Sequence, residues 1–309
     1  MAARIACIGE CMVELRERPD GSLTRGFGGD TLNTAIYLAR LGAAVDYATA
    51  LGDDSWSDEM VAGWQAEGVG TGLVRRVPGR LPGLYIIQTD AAGERRFHYW
   101  RDSAAARGMF DHADAPALIE ALSRYDLLYV SGITLSILGD SGRARLFAAL
   151  EGARARGGRV AFDTNFRSRG WPDHEAARAL YRRAFARSDI VLASAEDLAL
   201  LFGPEGEAEL WHHAAETECV LKLARPAVQV VEGGVPTLVE AGLVARVTDT
   251  TAAGDSFAAA YLAARLAGRP PAAAARAGHR LAGIVVGYPG AIIPRHAMPP
   301  PENAQEDHP

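Results

Sequence analysis

Short runs of apolar residues alternate with helix-forming stretches along the second half of the chain. Segments rich in alanine, leucine and arginine separate four such runs, which lie at 127–132, 159–163, 190–193 and 219–223. Runs this short and this apolar are typical of strands buried on both faces, so their alternation with helices predicts a parallel sheet covered by helices. In such a sheet, ligands bind beyond the carboxyl ends of the strands.

The first hundred residues show a different pattern. A strand-like run at 4–9 is followed by polar, alternating stretches at 12–17 and 22–27, which predict exposed strands. Two further runs, at 84–90 and 95–101, flank a glycine-containing turn and predict a hairpin. We expect the segments at about 11–29 and 83–102 to form a small β lid over the sheet edge. A lid of this kind can keep water away from a reacting ligand.

The remaining segments complete a single predicted α/β domain over residues 1–298. The stretch at 228–247 contains short runs around glycines and predicts antiparallel edge strands. The polar, proline-rich stretch at 299–309 predicts a disordered tail.

Composition and charge exclude several classes of function. The 309 residues are 49% hydrophobic and 23% charged, with a net charge of −6. This acidic balance argues against a nucleic-acid or membrane partner. No apolar run is long enough to span a membrane and no signal-peptide pattern begins the chain, so we expect a cytoplasmic protein. The three cysteines have no metal-binding spacing and are expected to be reduced, buried thiols.

The candidate chemistry centres on the segment 249–257, Asp-Thr-Thr-Ala-Ala-Gly-Asp-Ser-Phe. Strong helix formers follow it, so the N–H groups of Ala253, Gly254 and Asp255 are expected at the N-terminus of a helix, where phosphate binds. Gly254 allows close approach of a ligand, and the Asp255 carboxylate can accept a proton from a hydroxyl. The alternative for an isolated Asp-Ser pair is an ordinary helix cap.

Two other segments have a suitable position for ligand binding. A glycine pair at 28–29 precedes a helix, with Asp30 as its expected N-cap residue and Asn33 in its first turn. The segment 163–167, Asp-Thr-Asn-Phe-Arg, directly follows a predicted sheet strand. Neither a P-loop nor the catalytic loop of protein kinases occurs in the sequence.

The segment 249–257 resembles the C-terminal signature of the ribokinase-like (PfkB) carbohydrate kinases. Ala252 stands where most of that family has glycine, as in the branch that phosphorylates 2-keto-3-deoxygluconate. The glycine pair with Asn33 resembles the sugar-binding element of the family, and 163–167 resembles its Asp-x-Asn-x-Arg element. The resemblance covers nearly the whole chain. It implies an α/β fold, a ribokinase-like three-layer sandwich with a mostly parallel central sheet and a small β lid.

The resemblance also implies a reaction, the ATP-dependent phosphorylation of the 6-hydroxyl of 2-keto-3-deoxygluconate. Asp255 would be the catalytic base, which we expect the helix N-terminus to keep ionised at neutral pH. The amides of Ala252, Ala253 and Gly254 would hold the developing negative charge, and Mg²⁺ would bridge the ATP phosphates. The alternatives are a fructokinase or another sugar kinase of this family, or a non-catalytic sugar-acid sensor.

Further site residues follow from the resemblance. The implied substrate-binding residues are Gly28, Gly29, Asn33, Tyr85, Tyr99, Arg101, Arg167 and Asp255. The implied nucleotide-binding residues are Ser194, Lys222, Ala224, Thr251 and Gly254. Asp197 would reach Mg²⁺ through water. Relatives have glycines where this chain has Ala224 and Ala227, and Pro226 lacks an N–H, so we expect weaker or less selective ATP binding. A homo-oligomer formed through the β lid is also expected.

Overall fold

The structure, a computed structural model, describes residues 3–18, 20–89 and 95–300 of the chain. The predicted hairpin turn at 91–94 and most of the predicted tail lie outside these residues. Within the described part of the chain, no helix is long and apolar enough to cross a membrane.

The strands form two separate sheets. In chain order they are β1 (Arg4–Ile8), β2 (Met12–Glu17), β3 (Leu23–Gly28), β4 (Ala44–Leu51), β5 (Val74–Arg76), β6 (Gly83–Thr89), β7 (Arg95–Trp100), β8 (Leu127–Ser131), β9 (Arg159–Asp163), β10 (Ile190–Ser194), β11 (Glu218–Lys222), β12 (Ala227–Glu232) and β13 (Val235–Glu240).

The helices lie mostly between strands of the larger sheet. They are α1 (Asp30–Arg40), α2 (Ser55–Ala66), α3 (Ala115–Leu122), α4 (Gly132–Ile137), α5 (Asp140–Ala155), α6 (His174–Phe185), α7 (Ala195–Phe202), α8 (Gly206–Trp211), α9 (Ala253–Leu266) and α10 (Pro271–Val285). Short 3₁₀ turns occur at Ala105–Gly108, Ser168–Gly170, Gly203–Glu205 and Arg295–Ala297.

The larger sheet has nine strands in the order β13-β12-β11-β10-β9-β8-β1-β4-β5. Neighbouring strands are parallel from β11 to β5, while β12 and β13 are added antiparallel at one edge. The predictions of a mostly parallel sheet and of antiparallel edge strands around Gly233 and Gly234 are therefore confirmed. The strand also expected around Gly242 is wrong, because the chain leaves the sheet after Glu240. The parallel arrangement follows from the helices that connect successive strands and bring the chain back to the same sheet end.

Helices cover both faces of this sheet, which gives three layers. Along β1, Ile5 and Cys7 pack with α1, α2, α9 and α10 on one face, whereas Ala6 and Ile8 pack with α3, α5, α6 and α7 on the other. Side chains alternate between faces along a strand, so a strand buried on both sides must be apolar throughout. The three cysteines are free and buried, as expected.

The smaller sheet has four strands in the order β3-β2-β6-β7. The outer pairs are antiparallel and the central pair, β2 with β6, is parallel, so that Met12 lies opposite Gly83. These strands come from the two segments that predicted the lid. The outer strand β3 is largely exposed, in agreement with its polar alternation.

Helix α9 is anchored to the rest of the protein by buried side chains and by hydrogen bonds near its C-terminus. Its side chains from Ser256 to Leu262 are buried. Towards its C-terminus, the Tyr261 hydroxyl donates to Glu218 Oε1 of β11 at 2.5 Å, and Arg265 Nε donates to Glu218 Oε2 at 2.9 Å. The N-terminus of α9 is consequently presented at a fixed place beside the carboxyl ends of the sheet strands.

Candidate active site

A cleft of about 2070 Å³ lies between the carboxyl ends of the large sheet and the smaller sheet. It brings together predicted residues that are far apart in the sequence. The predicted site residues that line it are Gly28, Gly29, Asn33, Tyr85, Tyr99, Arg101, Arg167, Ser194, Asp197, Lys222, Thr251, Ala252, Gly254 and Asp255. Ala224 lies in the exposed turn between β11 and β12 and is not among the residues that line this cleft.

The N-terminus of α9 forms one wall of the cleft. Ala252 is its N-cap residue, with a left-handed backbone (φ 60°, ψ 15°), and no side chain caps the helix. Among the described residues, no acceptor is bonded to the N–H groups of Gly254 and Asp255. The Ala253 N–H donates to Thr250 O at 3.2 Å, so the prediction that it would be free is wrong. Two amides at a positive helix end remain available for an anion.

Asp255 lies in the first turn of α9, where Asn33 Nδ2 of α1 donates to its Oδ2 at 2.8 Å. Burial, followed by the negative charge of Asp30, raises the pKa of Asp255 to about 8. The prediction that the helix N-terminus keeps Asp255 ionised at neutral pH is therefore wrong for the free protein. Desolvation and a neighbouring carboxylate outweigh the helix dipole, which stabilises a charge in the first turn by only about 0.3–2 kcal/mol.

Asp30 occupies a different position from the one predicted. The N-cap residue of α1 is Gly29, and Asp30 is the first residue of the helix. The Asp30 side chain points into the cleft and accepts a hydrogen bond from Asn165 Nδ2 at 2.8 Å. Asn165 has φ 28°, a region that asparagine tolerates better than most residues. Asp30 is thus a cleft residue that the sequence indicated only as the third position of the Gly-Gly-Asp-x-x-Asn element and as a helix cap.

Lys222 supplies a cation beside the N-terminus of α9. It ends β11, and its Nζ lies 3.2 Å from Asp163 Oδ2 at the end of β9. A Cβ atom placed on Gly254 would lie 3.7 Å from the same Nζ, so the ammonium group and the α9 amides share one corner of the cleft. A phosphate group in this corner would meet the Lys222 ammonium group, which is shared with Asp163, and one helix end.

The residue predicted to bind Mg²⁺ through water, Asp197, suits an ion that binds together with the nucleotide. The described residues contain no group of three His, Cys, Asp or Glu side chains able to hold a metal. Asp197 is buried, accepts from Thr164 Oγ1 at 2.7 Å and faces the cleft beside Ser194. Mg²⁺ usually takes one or two carboxylates, several waters and substrate phosphates, and this donor set suits that mode.

Aromatic residues from the smaller sheet line the opposite wall. Tyr85 is buried, donates a short hydrogen bond to Glu14 and has its ring centroid 5.9 Å from that of Tyr99. A Cβ atom at Gly28 would lie only 2.4 Å from the Tyr85 hydroxyl, so a glycine is required there for the tyrosine to reach the cleft. These two tilted rings form an apolar surface with hydroxyl groups, which is suited to packing against a sugar.

The two arginines predicted to bind a carboxylate differ in their surroundings. Arg101 forms a close ion pair with Glu10, whose side chain is 1% exposed. Arg167 is 62% exposed, with its Nη1 3.7 Å from Asp197 Oδ1. Buried atoms without a partner include Glu10 Oε1, Arg101 Nε and Asn33 Oδ1. Glu10 was not identified from the sequence, because nothing local marks a carboxylate whose partner lies 91 residues away.

Comparison with known proteins identifies the family. The model of the pfkB family carbohydrate kinases matches residues 2–298. The chain is 46% identical over 306 residues to the 2-dehydro-3-deoxygluconokinase of Dickeya dadantii, covering 96% of this chain and 98% of that protein. It is 44% identical over 310 residues to the Escherichia coli K12 protein of the same name, covering 97% and 100%. The fold matches that of the Xylella fastidiosa fructokinase with bound ATP, with a TM-score of 0.81, 24% identity and coverage of 97% and 96%.

Proposed function

The chain belongs to the pfkB family of carbohydrate kinases, and we propose that it phosphorylates the 6-hydroxyl of 2-keto-3-deoxygluconate with ATP. This compound is the 2-dehydro-3-deoxygluconate of the relatives' names. The observation that carries the proposal is the placement of Asp255. Its carboxyl group lies in the cleft at the start of α9, where two amides have no acceptor in the described part of the chain, opposite a wall of tyrosines and arginines that suits a sugar acid.

In the proposed reaction, the sugar lies along the aromatic wall with its 6-hydroxyl beside Asp255. A bond forms between the hydroxyl oxygen and the γ-phosphorus, the bond from that phosphorus to ADP breaks, and the hydroxyl proton passes to Asp255. Phosphoryl transfer has a loose transition state, so positioning contributes more than a strong base does. A carboxyl pKa near the working pH is well matched to accepting this proton.

The phosphate-binding role falls to the α9 amides of Gly254 and Asp255, together with Lys222. These groups face the same corner of the cleft, so they would stabilise negative charge that develops on the transferred group. Mg²⁺, when bound, neutralises phosphate charge, and Asp197 would hold its hydration shell. Asn33 positions the Asp255 carboxylate through its 2.8 Å hydrogen bond.

A coupled assay of ADP release tests the proposal. The purified protein is given ATP, Mg²⁺ and either 2-keto-3-deoxygluconate or fructose. We expect turnover with the keto acid at a much higher kcat/KM than with fructose. A preference for fructose would reassign the protein as a fructokinase, and binding of the keto acid without ADP release would make it a sensor. The cytoplasmic location and the oligomeric state expected from the sequence stay predictions.

A further inference from the structure

Strand β2 of the smaller sheet carries two charged residues that the proposed reaction does not use. Side chains alternate between the two faces of a strand, so Glu14 and Arg16 lie on the same face as Met12, which lines the cleft. Both charged side chains are half-buried. Because charged groups are seldom buried without partners, the contacts of these two residues indicate what they hold in place.

Glu14 connects Arg16 to the tyrosine wall of the cleft. Tyr85 lies directly opposite Glu14 in the parallel pairing of β2 with β6. Glu14 Oε2 accepts the short hydrogen bond from the Tyr85 hydroxyl, and Glu14 Oε1 accepts from Arg16 Nη2 at 3.3 Å. One carboxylate therefore fixes both a tyrosine of the wall and the arginine beside it.

Arg16 extends from the smaller sheet to the segment that precedes α9. Its Nη1 lies 3.7 Å from Oδ2 of Asp249, whose side chain is 3% exposed. Asp249 Oδ1 accepts from the Thr251 N–H at 2.8 Å and from Thr251 Oγ1 at 2.6 Å, and Asp249 Oδ2 accepts from the Gly290 N–H at 2.9 Å. The Asp249 carboxylate thus fixes the turn that leads into Ala252, the N-cap residue of α9.

A continuous set of polar contacts therefore runs from Tyr85 through Glu14, Arg16 and Asp249 to Thr251. It joins the wall where we propose that the sugar binds to the turn before the amides that we propose bind phosphate. The Arg16–Asp249 pair is the step between the two parts of the protein. Its 3.7 Å separation exceeds the distance of about 2.7–2.9 Å in a charge-assisted hydrogen bond, so the pair can shorten when both sides are fixed.

We propose that Arg16 is a positioning residue that couples the binding of the sugar to the binding of ATP. The proposal rests on the proposed function, because it places a sugar on the tyrosine wall and the ATP phosphates at α9. A sugar that packs on Tyr85 restricts Glu14 and Arg16, and Arg16 then stabilises the Asp249 carboxylate that holds Thr251. Each ligand binds more tightly when the other is present, because the contacts that it needs are already fixed.

The test measures this coupling directly. Calorimetry gives the Kd for 2-keto-3-deoxygluconate with Mg²⁺, in the absence and in the presence of saturating AMP-PNP, an ATP analogue that does not transfer its terminal phosphate. The ratio of the two Kd values is the coupling factor. It is measured for the wild type, Arg16→Gln and Arg16→Lys, and thermal denaturation checks that each variant is folded.

The matched control is Arg25→Gln. Arg25 of β3 pairs with Glu59 of α2 at 2.6 Å, so this ion pair also joins the smaller sheet to an element outside it. Neither Arg25 nor Glu59 is among the residues that line the cleft. The control therefore removes an arginine and an ion pair of the same kind without interrupting the contacts between Tyr85 and Thr251.

We expect a coupling factor of about 5–10 in the wild type, at the lower end of the usual range because Arg16 is partly exposed. Arg16→Gln should lower the factor to less than about 2, and Arg16→Lys should keep part of it, since the charge remains but the guanidinium fork is lost. Arg25→Gln should match the wild type. By linkage, the keto acid should change the Kd for AMP-PNP by the same factor.

A wild-type factor of about 1, an unchanged factor in Arg16→Gln, or an equal loss in Arg25→Gln overturns the proposal. If Arg16→Gln is not folded, Glu14→Gln replaces it, because it removes the charge that holds Arg16 in place and should lower the factor in the same way. A wild type that does not bind the keto acid contradicts the proposed function, and the same titrations with fructose then test Arg16 separately. If neither sugar binds, both proposals fail.

Discussion

Ala252 has a left-handed backbone at the N-terminus of α9, where most of the family has glycine according to the sequence resemblance. For a residue with a Cβ atom, this conformation costs about 1–2 kcal/mol. Replacement by glycine removes that strain but adds about 0.4–1 kcal/mol of chain entropy to the unfolded state. We predict that Ala252→Gly raises the free energy of unfolding by about 0.5–1 kcal/mol, the difference between these effects.

Urea denaturation measures this change, and Ala253→Gly is the matched control. Ala253 is the first residue of α9 and has no positive φ, so glycine there should lower stability by up to about 1 kcal/mol. A loss of stability in both variants would show that the strain at Ala252 is offset by other contacts.

Asp255 carries the second prediction at this scale. Asp255→Asn keeps the shape of the side chain but cannot accept the hydroxyl proton, so we predict that kcat falls by about 10²–10⁴. Steady-state kinetics with the keto acid measures the loss, and circular dichroism excludes unfolding. Turnover close to that of the wild type would remove Asp255 from the role of base.

The pH dependence gives a separate prediction about the same carboxyl group. With a pKa of about 8 in the free protein, kcat/KM should rise with pH as Asp255 ionises, and Asp255→Asn should lack this rise. The pKa in the folded protein lies above the ordinary value of 3.8, so the protonated carboxyl favours the folded state. The wild type should therefore lose stability between about pH 4 and pH 8 relative to the variant, as denaturation at several pH values would measure.

At the scale of elements, the turn between β11 and β12 is the segment that departs most from the family pattern. Leu223 N donates to Ala227 O at 3.0 Å, which closes a tight hairpin, and Arg225 pairs with Glu240 on β13. Ala224 has no positive φ, so its backbone does not require glycine. The turn therefore has no backbone strain at Ala224 that replacement by glycine would relieve.

We predict that Ala224→Gly leaves the Kd for ATP unchanged and lowers the free energy of unfolding by about 0.4–1 kcal/mol, because the unfolded chain gains freedom. Calorimetry with ATP and GTP measures binding. Lys222→Ala is the positive control, since it removes the cation beside Gly254 and should weaken ATP binding. Tighter or more selective ATP binding by Ala224→Gly would mean that the turn closes over the nucleotide in a conformation that alanine resists.

At the scale of the whole molecule, the elements were more predictable than the contacts between them. Apolar runs such as 159–163 identify a buried strand by themselves, because a strand that is buried on both faces must be apolar at nearly every position. The bonds from Asn165 to Asp30 and from Arg101 to Glu10 join residues 135 and 91 positions apart. Such contacts form only in the tertiary structure, so no local sequence pattern predicts them. The pKa of Asp255 was mispredicted for the same reason, since both its burial and the nearby charge of Asp30 exist only in the folded chain.

The exposed edge of the smaller sheet is a candidate interface between two copies of the protein. Its outer strand β7 pairs on one side only among the described strands, and Phe97 is 36% and Trp100 59% exposed. An edge strand that carries exposed aromatic side chains tends to pair with another chain. A second copy aligned with β7 would also cover Tyr99, which is 44% exposed and lines the cleft on the wall where we propose that the sugar binds. We therefore predict a homodimer formed through this sheet.

Sedimentation velocity at micromolar concentration should show the dimer, and Trp100→Lys should shift it towards the monomer, because a charge placed at the interface must be desolvated. The control is Leu243→Lys, which changes a fully exposed side chain just after β13, an edge strand of the larger sheet. It should leave the dimer intact. A wild-type monomer, or equal dissociation of both variants, would contradict this interface. If the dimer completes the sugar-binding wall, Trp100→Lys should also raise the KM for the sugar substrate at concentrations where it is monomeric, while the KM for ATP stays constant.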